Sequence, residues 1–197
     1  MTALTDIKDS ELQCILDALL VTAVQIHEEV KSGNGLDVTA ASNASGDSQL
    51  ALDVLADSYF QDTLASNTQV RYIVSEERPN LVTYGNGDYS VSLDPLDGSK
   101  SAAVGIPPGA IFGIFKDVEQ ISDFNGKHIV MGGFFVFGIT LEIYFSLHGT
   151  ATTGVWDAST NSWTFRALLR CLPKKWWPSM PRIEPNGTLG CKTILTG

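Results

Sequence analysis

Tyr89-Ser90-Val91-Ser92-Leu93-Asp94-Pro95-Leu96-Asp97-Gly98-Ser99 is the stretch on which the fold turns. Its first half alternates large apolar and small polar side chains, the two-residue period of a strand. Its second half ends that strand with two acids, a proline that fixes the turn and a glycine that frees the backbone. About twenty residues earlier the chain does the same thing: the apolar run Val70–Val74 stops abruptly in Ser75-Glu76-Glu77. Two strands that each end in paired carboxylates predict a sheet with an acidic mouth. Four such groups brought together repel one another and raise each other's pKa. A divalent cation removes that cost, and hard oxygen donors at this density suit Mg²⁺ or Mn²⁺. The N–H groups freed after Gly98 can point at an anion, so the pattern reads as a metal beside a phosphate nest.

The rest of the chain is consistent with a soluble α/β protein. Its 197 residues are enough for one sizeable core. No apolar run approaches about 18 residues, so no membrane helix is expected. Met1–Asp6 has the character of neither a signal nor a transit peptide, which points to the cytoplasm and leaves the plastid open. Cys14, Cys171 and Cys191 have no metal or disulfide spacing. The formal charge of −9 argues against a nucleic-acid partner.

Periodicity predicts a first helix opened by a Ser10–Gln13 capping box, carrying Leu12, Ile15, Leu16, Leu19, Leu20, Ala23, Val24 and His27, and closed by Gly33. Residues 32–46 read as a loop. Asp47 is expected to open a second helix with Leu50, Val54 and Leu55 inward and Asp53 on another side. Ala110–Phe115 and Leu141–Leu147 read as strands and Gly126–Phe137 as a helix. Composition shifts at Trp163: from there on six basic side chains face only Glu184, with three of the four tryptophans and four of the eight prolines. We therefore expect a domain over 1–162 and a divergent, poorly ordered tail over 163–197.

Taken together, Ser75-Glu76-Glu77, Asp94-Pro95-Leu96-Asp97-Gly98-Ser99 and Gly109-Ala110-Ile111-Phe112-Gly113-Ile114 resemble the metal-dependent, lithium-sensitive sugar phosphatases, and within them the fructose-1,6-bisphosphatase and sedoheptulose-1,7-bisphosphatase family. The text from Gly46 to Asp57 is closer to the sedoheptulose branch. The resemblance, over about residues 12 to 160, implies the N-terminal part of a layered αβαβα fold. It implies Mg²⁺-dependent hydrolysis of a sugar 1-phosphate by metal-activated water, and homo-oligomers. It also implies that Glu76, Asp94, Asp97, the Leu96 carbonyl and Asp47 hold metal, that Asp53 and Glu77 orient and deprotonate the water, and that Gly98 and Ser99 bind the phosphate.

Three departures stand out. Lys100 replaces a family serine. The loop before Asp47 lacks the paired cysteines of plastid sedoheptulose enzymes. The family's second half, with its sugar contacts, is not matched, and Glu184 takes no role from it. Three readings stay open: a sedoheptulose-1,7-bisphosphatase, a fructose-1,6-bisphosphatase, and a catalytically incomplete paralogue that acts by association.

Overall fold

Asp9 opens the first helix. In the computed structural model, which describes residues 7–33, 38–42, 48–102, 104–147 and 149–170, its carboxylate accepts the N–H groups of Glu11 and Leu12 at 3.1 and 3.2 Å. The expected cap was one residue later; Ser10 is instead the first residue of α1 (Ser10–Ser32), and Gln13 donates to Asp17. Gly33 closes the helix with a φ of 70°, as its position predicts. Of the expected stripe Leu12, Ile15, Leu16, Leu19, Leu20 and Ala23 are buried and Val24 is half-buried; His27 is buried too, its Nε2 2.8 Å from the Gly138 carbonyl oxygen. Cys14 is exposed.

The segment read as a loop contains a strand, β1 (Val38–Ser42), paired antiparallel with β2 (Ser48–Leu50). The second helix, α2 (Ala51–Ala65), starts later than expected, with Leu50 as N-cap. Asp47 falls outside the described residues. The expected inner face is also corrected: Val54 is 45% exposed, whereas Asp53 is 5% exposed. Asp53 turns inward and its carboxylate accepts the Leu50 N–H at 2.7 Å, the returning half of a capping box whose apolar N-cap supplies no side-chain acceptor of its own.

Eight strands form the main sheet: β3 (Val70–Ser75), β4 (Val82–Thr83), β5 (Tyr89–Asp97), β6 (Gly109–Lys116), β7 (Ile129–Phe137), β8 (Leu141–Leu147), β9 (Thr150–Asp157) and β10 (Ser162–Arg170). Their order is β10-β9-β8-β7-β6-β5-β3-β4; β3 and β5 are parallel and the other neighbours antiparallel. Helices α1 and α2 pack against each other and against the sheet, α2 on β3 and β5, α1 on β7 and β8. The core lies between them, on the face carrying Ile73, Val91, Phe112, Ile114, Met131, Phe135, Ile143 and Phe165. This mixed α/β arrangement is the fold class that the sequence implies.

Two expectations fail in the second half of the sheet. Residues 129–137 are the strand β7, not a helix. Gly132 and Gly133 weaken a helix, and β6 and β8 offer hydrogen-bonded partners on both sides. The composition break at Trp163 does not interrupt the sheet: β10 crosses it, and Trp163 and Phe165 pack on the core; the rest of the tail expected over 163–197, from residue 171 on, lies outside the described residues. Among the described residues no helix is long and apolar enough to cross a membrane.

Candidate active site

Parallel pairing explains why the two acidic turns meet. Ile73, Val74 and Ser75 of β3 lie opposite Val91, Ser92 and Leu93 of β5, so both strands leave the sheet at the same end, side by side. The Glu76 N–H donates to the Leu93 carbonyl at 3.1 Å, fastening the first turn to the second strand. The Glu77 N–H donates to the buried Ser75 hydroxyl at 3.2 Å.

Asp94 is the centre of this meeting. Its carboxyl is pushed up to about 7, first by burial, then by the negative charges of Glu76, Asp97 and Glu77. A backbone hydrogen bond from Leu96 opposes this only in part. One oxygen, Oδ1, is buried without a hydrogen-bond partner among the described residues. A half-charged carboxyl with an orphaned oxygen, facing three other carboxylates, is a place where a cation would be stabilising.

The turn itself is built from Pro95 and Leu96. Asp94 lies opposite Ile111 and Asp97 opposite Gly109, so β5 carries one more residue than β6 across this interval. Proline, which lacks an N–H, suits such a bulge, and the Leu96 side chain is buried and anchors it. Asp97 is exposed at the rim. Gly98 follows with a φ of 77°, a conformation that disfavours any residue with a Cβ. Ser99 is buried and begins the single-turn helix α3 (Ser99–Ala102), while Lys100 is exposed.

Asp53 approaches from the helix layer. Its Oδ1 is buried and, among the described residues, without a partner. The chain runs from α2 back into β3, which places the start of α2 over the end of β3. A contact not foreseen from the sequence confirms this: Arg78, next to Glu77, donates its Nε to Asp57 at 2.6 Å, one helical turn after Asp53. The sequence signal was the i, i+4 pair Asp53 and Asp57 on one helix face, with a lone arginine directly after the two glutamates.

The oxygen-rich donor set and the orphaned atoms of Asp53 and Asp94 fit a hard divalent cation. Among the described residues, however, no three carboxylate, imidazole or thiolate side chains already converge as a closed cage. The carboxylates are within electrostatic reach of Asp94 without being drawn in to ligand distance. A separate cavity of about 560 Å³ lies between α1 and the β9–β10 hairpin, lined by Val21, Val24, Trp156 and Trp163 and by none of the motif residues.

The chain is similar to known sugar phosphatases over this whole region. It is 32% identical to the class 1 fructose-1,6-bisphosphatase of Rhodobacter capsulatus over 72% of its own length and 44% of that protein's. It is also 32% identical to the fructose-1,6-bisphosphatase of Schizosaccharomyces pombe, over 73% and 43% of the two chains. In structure it resembles Leishmania major fructose-1,6-bisphosphatase in its holo form, with a TM-score of 0.76 at 22% identity, over 85% of this chain and 57% of that one. It likewise resembles a Toxoplasma gondii protein assigned provisionally as a sedoheptulose-1,7 bisphosphatase, with a TM-score of 0.73 at 22% identity, over 83% and 56%. The chain thus spans about half the length of the relatives it matches. The sequence model of the fructose-1,6-bisphosphatase N-terminal domain matches residues 3–167, and with the acidic strand ends in place the chain belongs to the fructose-1,6-bisphosphatase family.

Proposed function

We propose that this chain is the metal- and phosphate-binding half of a sugar bisphosphatase that removes the 1-phosphate of a sugar bisphosphate. The observation that carries the reading is Asp94, a carboxyl raised to about 7 among Glu76, Glu77 and Asp97 at the end of two parallel strands, next to the Gly98–Ser99 turn. Glu76, Asp94, Asp97, the Leu96 carbonyl and Asp47 are the groups that would hold Mg²⁺, or Mn²⁺ in its place. When bound, such a cation polarises the phosphoryl oxygen and makes water a nucleophile at neutral pH. The chain's own part is positional. Asp53 and Glu77 orient the water and accept its proton, and the N–H groups after Gly98 hold the phosphate in line with it.

The substrate we propose is sedoheptulose 1,7-bisphosphate, because the Gly46–Asp57 text is closer to that branch. Fructose 1,6-bisphosphate is the second reading, favoured by the names of the curated relatives. Like other members of the family, the chain would work as a homo-oligomer. Since it spans about half of those relatives, the contacts that clamp sugar and second phosphate would come from elsewhere, and turnover by the chain alone should be slow. Phosphate release from both bisphosphates by purified 1–197, with and without Mg²⁺ and with Asp97→Asn as the blank, tests this. Slow, metal-dependent release above the blank is expected, and the better substrate decides between the two sugars. Release that ignores both metal and Asp97 would sink the reading.

A further inference from the structure

Glu76 and Glu77 sit on a turn whose negative charges bear on Asp94, and one side chain ties that turn to the helix layer. Arg78 donates its Nε to Asp57 Oδ2 at 2.6 Å. The Asp57 carboxylate is buried, its exposure only 5%, and its second oxygen accepts from Gln61 Nε2 at 3.2 Å. Gln61, also buried, in turn accepts the hydroxyl of Tyr84, just beyond β4. The Arg78 N–H closes the turn on the Ser75 carbonyl at 3.2 Å.

We propose that Arg78 and Asp57 form a positioning clamp that sets Glu76 and Glu77 against Asp53 and Asp94. The proposal rests on the metal-site reading above. Asp57 is too deep and too fully bonded to act as a ligand itself. It lies four residues after Asp53, so the two share a face of α2 one turn apart, and whatever is fixed to Asp57 is fixed relative to Asp53. Arg78 immediately follows Glu77, so its planar, directional guanidinium passes that reference to the glutamates. Its positive charge also offsets the repulsion that Asp94 and Asp97 exert on the turn. The strand ends bring the turn to the sheet's edge, and the clamp fixes its distance from α2.

Mn²⁺ binding by the full chain, followed through loss of the free-ion EPR signal, separates this role from simple stabilisation. The variants are Arg78→Lys, Arg78→Gln and the double variant Asp57→Asn/Arg78→Gln, each also melted in chelator. Arg78→Gln strands a buried carboxylate and should lower the melting temperature. The double variant strands no charge and should regain much of that loss, yet both should bind Mn²⁺ about tenfold more weakly than the unsubstituted chain. Arg78→Lys, which keeps the charge and loses the planar fork, should weaken binding about threefold. If every variant that folds binds Mn²⁺ within twofold of the unsubstituted chain, the clamp is structural only and the proposal fails. If the unsubstituted chain itself binds no Mn²⁺, the metal-site reading falls and takes the clamp with it.

Discussion

Tyr89, at the start of β5, donates its phenol to Asp9, the N-cap of α1, from eighty positions further along the chain. The Lys116 ammonium completes the group, 3.2 Å from the Tyr89 oxygen and 4.8 Å from the centre of its ring. One carboxylate therefore starts a helix and fastens it to the strand that carries the acidic turn.

This linkage predicts an acid-side effect. The hydrogen bond from Tyr89, with smaller help from backbone donors and Lys116, holds the Asp9 carboxyl below its ordinary value. A depressed carboxylate stabilises the fold above its unfolded pKa, near 3.9, and that contribution is lost as pH falls through the folded value. Asp9→Ala should cost about 1 kcal/mol at pH 7, the usual effect of losing a cap. The gap between the variant and the parent in denaturant melts should narrow below about pH 4. A gap that stays constant to pH 2 would count against the linkage.

Asp94 titrates in the opposite sense. Its folded value of about 7 means that the neutral form is favoured in the fold. Its contribution is full below the unfolded value and is lost as pH rises through about 7. In chelator, the stability of the parent relative to Asp94→Asn should therefore fall between about pH 4 and 7 and level off above it. Melting curves of both proteins across that range check the sign.

Metal should reverse this trend. Mg²⁺ or Mn²⁺ at a hundredfold excess over Kd should raise stability by roughly 2.7 kcal/mol through linkage, and Asp97→Asn should remove most of the shift. An unchanged melting temperature on adding metal to the parent would refute the site.

Gly133 offers a test of packing in β7. A Cβ there would stand 2.5 Å from the Tyr144 carbonyl oxygen, 2.7 Å from the Phe112 ring and 2.7 Å from Phe145 Cβ. Gly133→Ala should destabilise by roughly 1–3 kcal/mol, as overpacking does. A neutral result in urea titration would contradict the close approach of these strands.

The sheet face away from the helices carries Ile111, Phe134 and Tyr144 in register across β6, β7 and β8, with the last two rings stacked at 5.1 Å. Phe134 is 45% exposed. Apolar rows of this kind promote association, so sedimentation should show self-association that Phe134→Lys reduces. Identical sedimentation of the two proteins would rule this face out.

The strands that punctuation delimits were legible in the sequence: β3, β5, β6 and β8 each end at acids, glycine or a break in alternation. β7 was not, because an apolar run has no visible period when both neighbours are strands, and only Gly132-Gly133 hinted at its type. Periodicity puts Asp53 on a different side of α2 from Leu50, Val54 and Leu55, because it counts apolar residues and is blind to a carboxylate buried for its hydrogen bonds. The acidic turns could be read as a pair, yet the link between Asp57 and Arg78 spans 21 positions and exists only once β3 lies beneath α2. Burial and long-range pairing of charge are properties of the closed fold, so local sequence does not display them.

The two borders of the sheet are unequal, and this limits how copies could add to one another. One border is β4, two residues long, too short to template a further strand. The other is β10, nine residues long, with no strand paired to its outer side among the described residues. Fibre growth by strand addition needs two adhesive borders per copy, whereas the described residues give this sheet one. Joining two copies β10 to β10 uses that border on both and leaves only the short ones outward, so edge pairing closes at a two-fold pair instead of propagating.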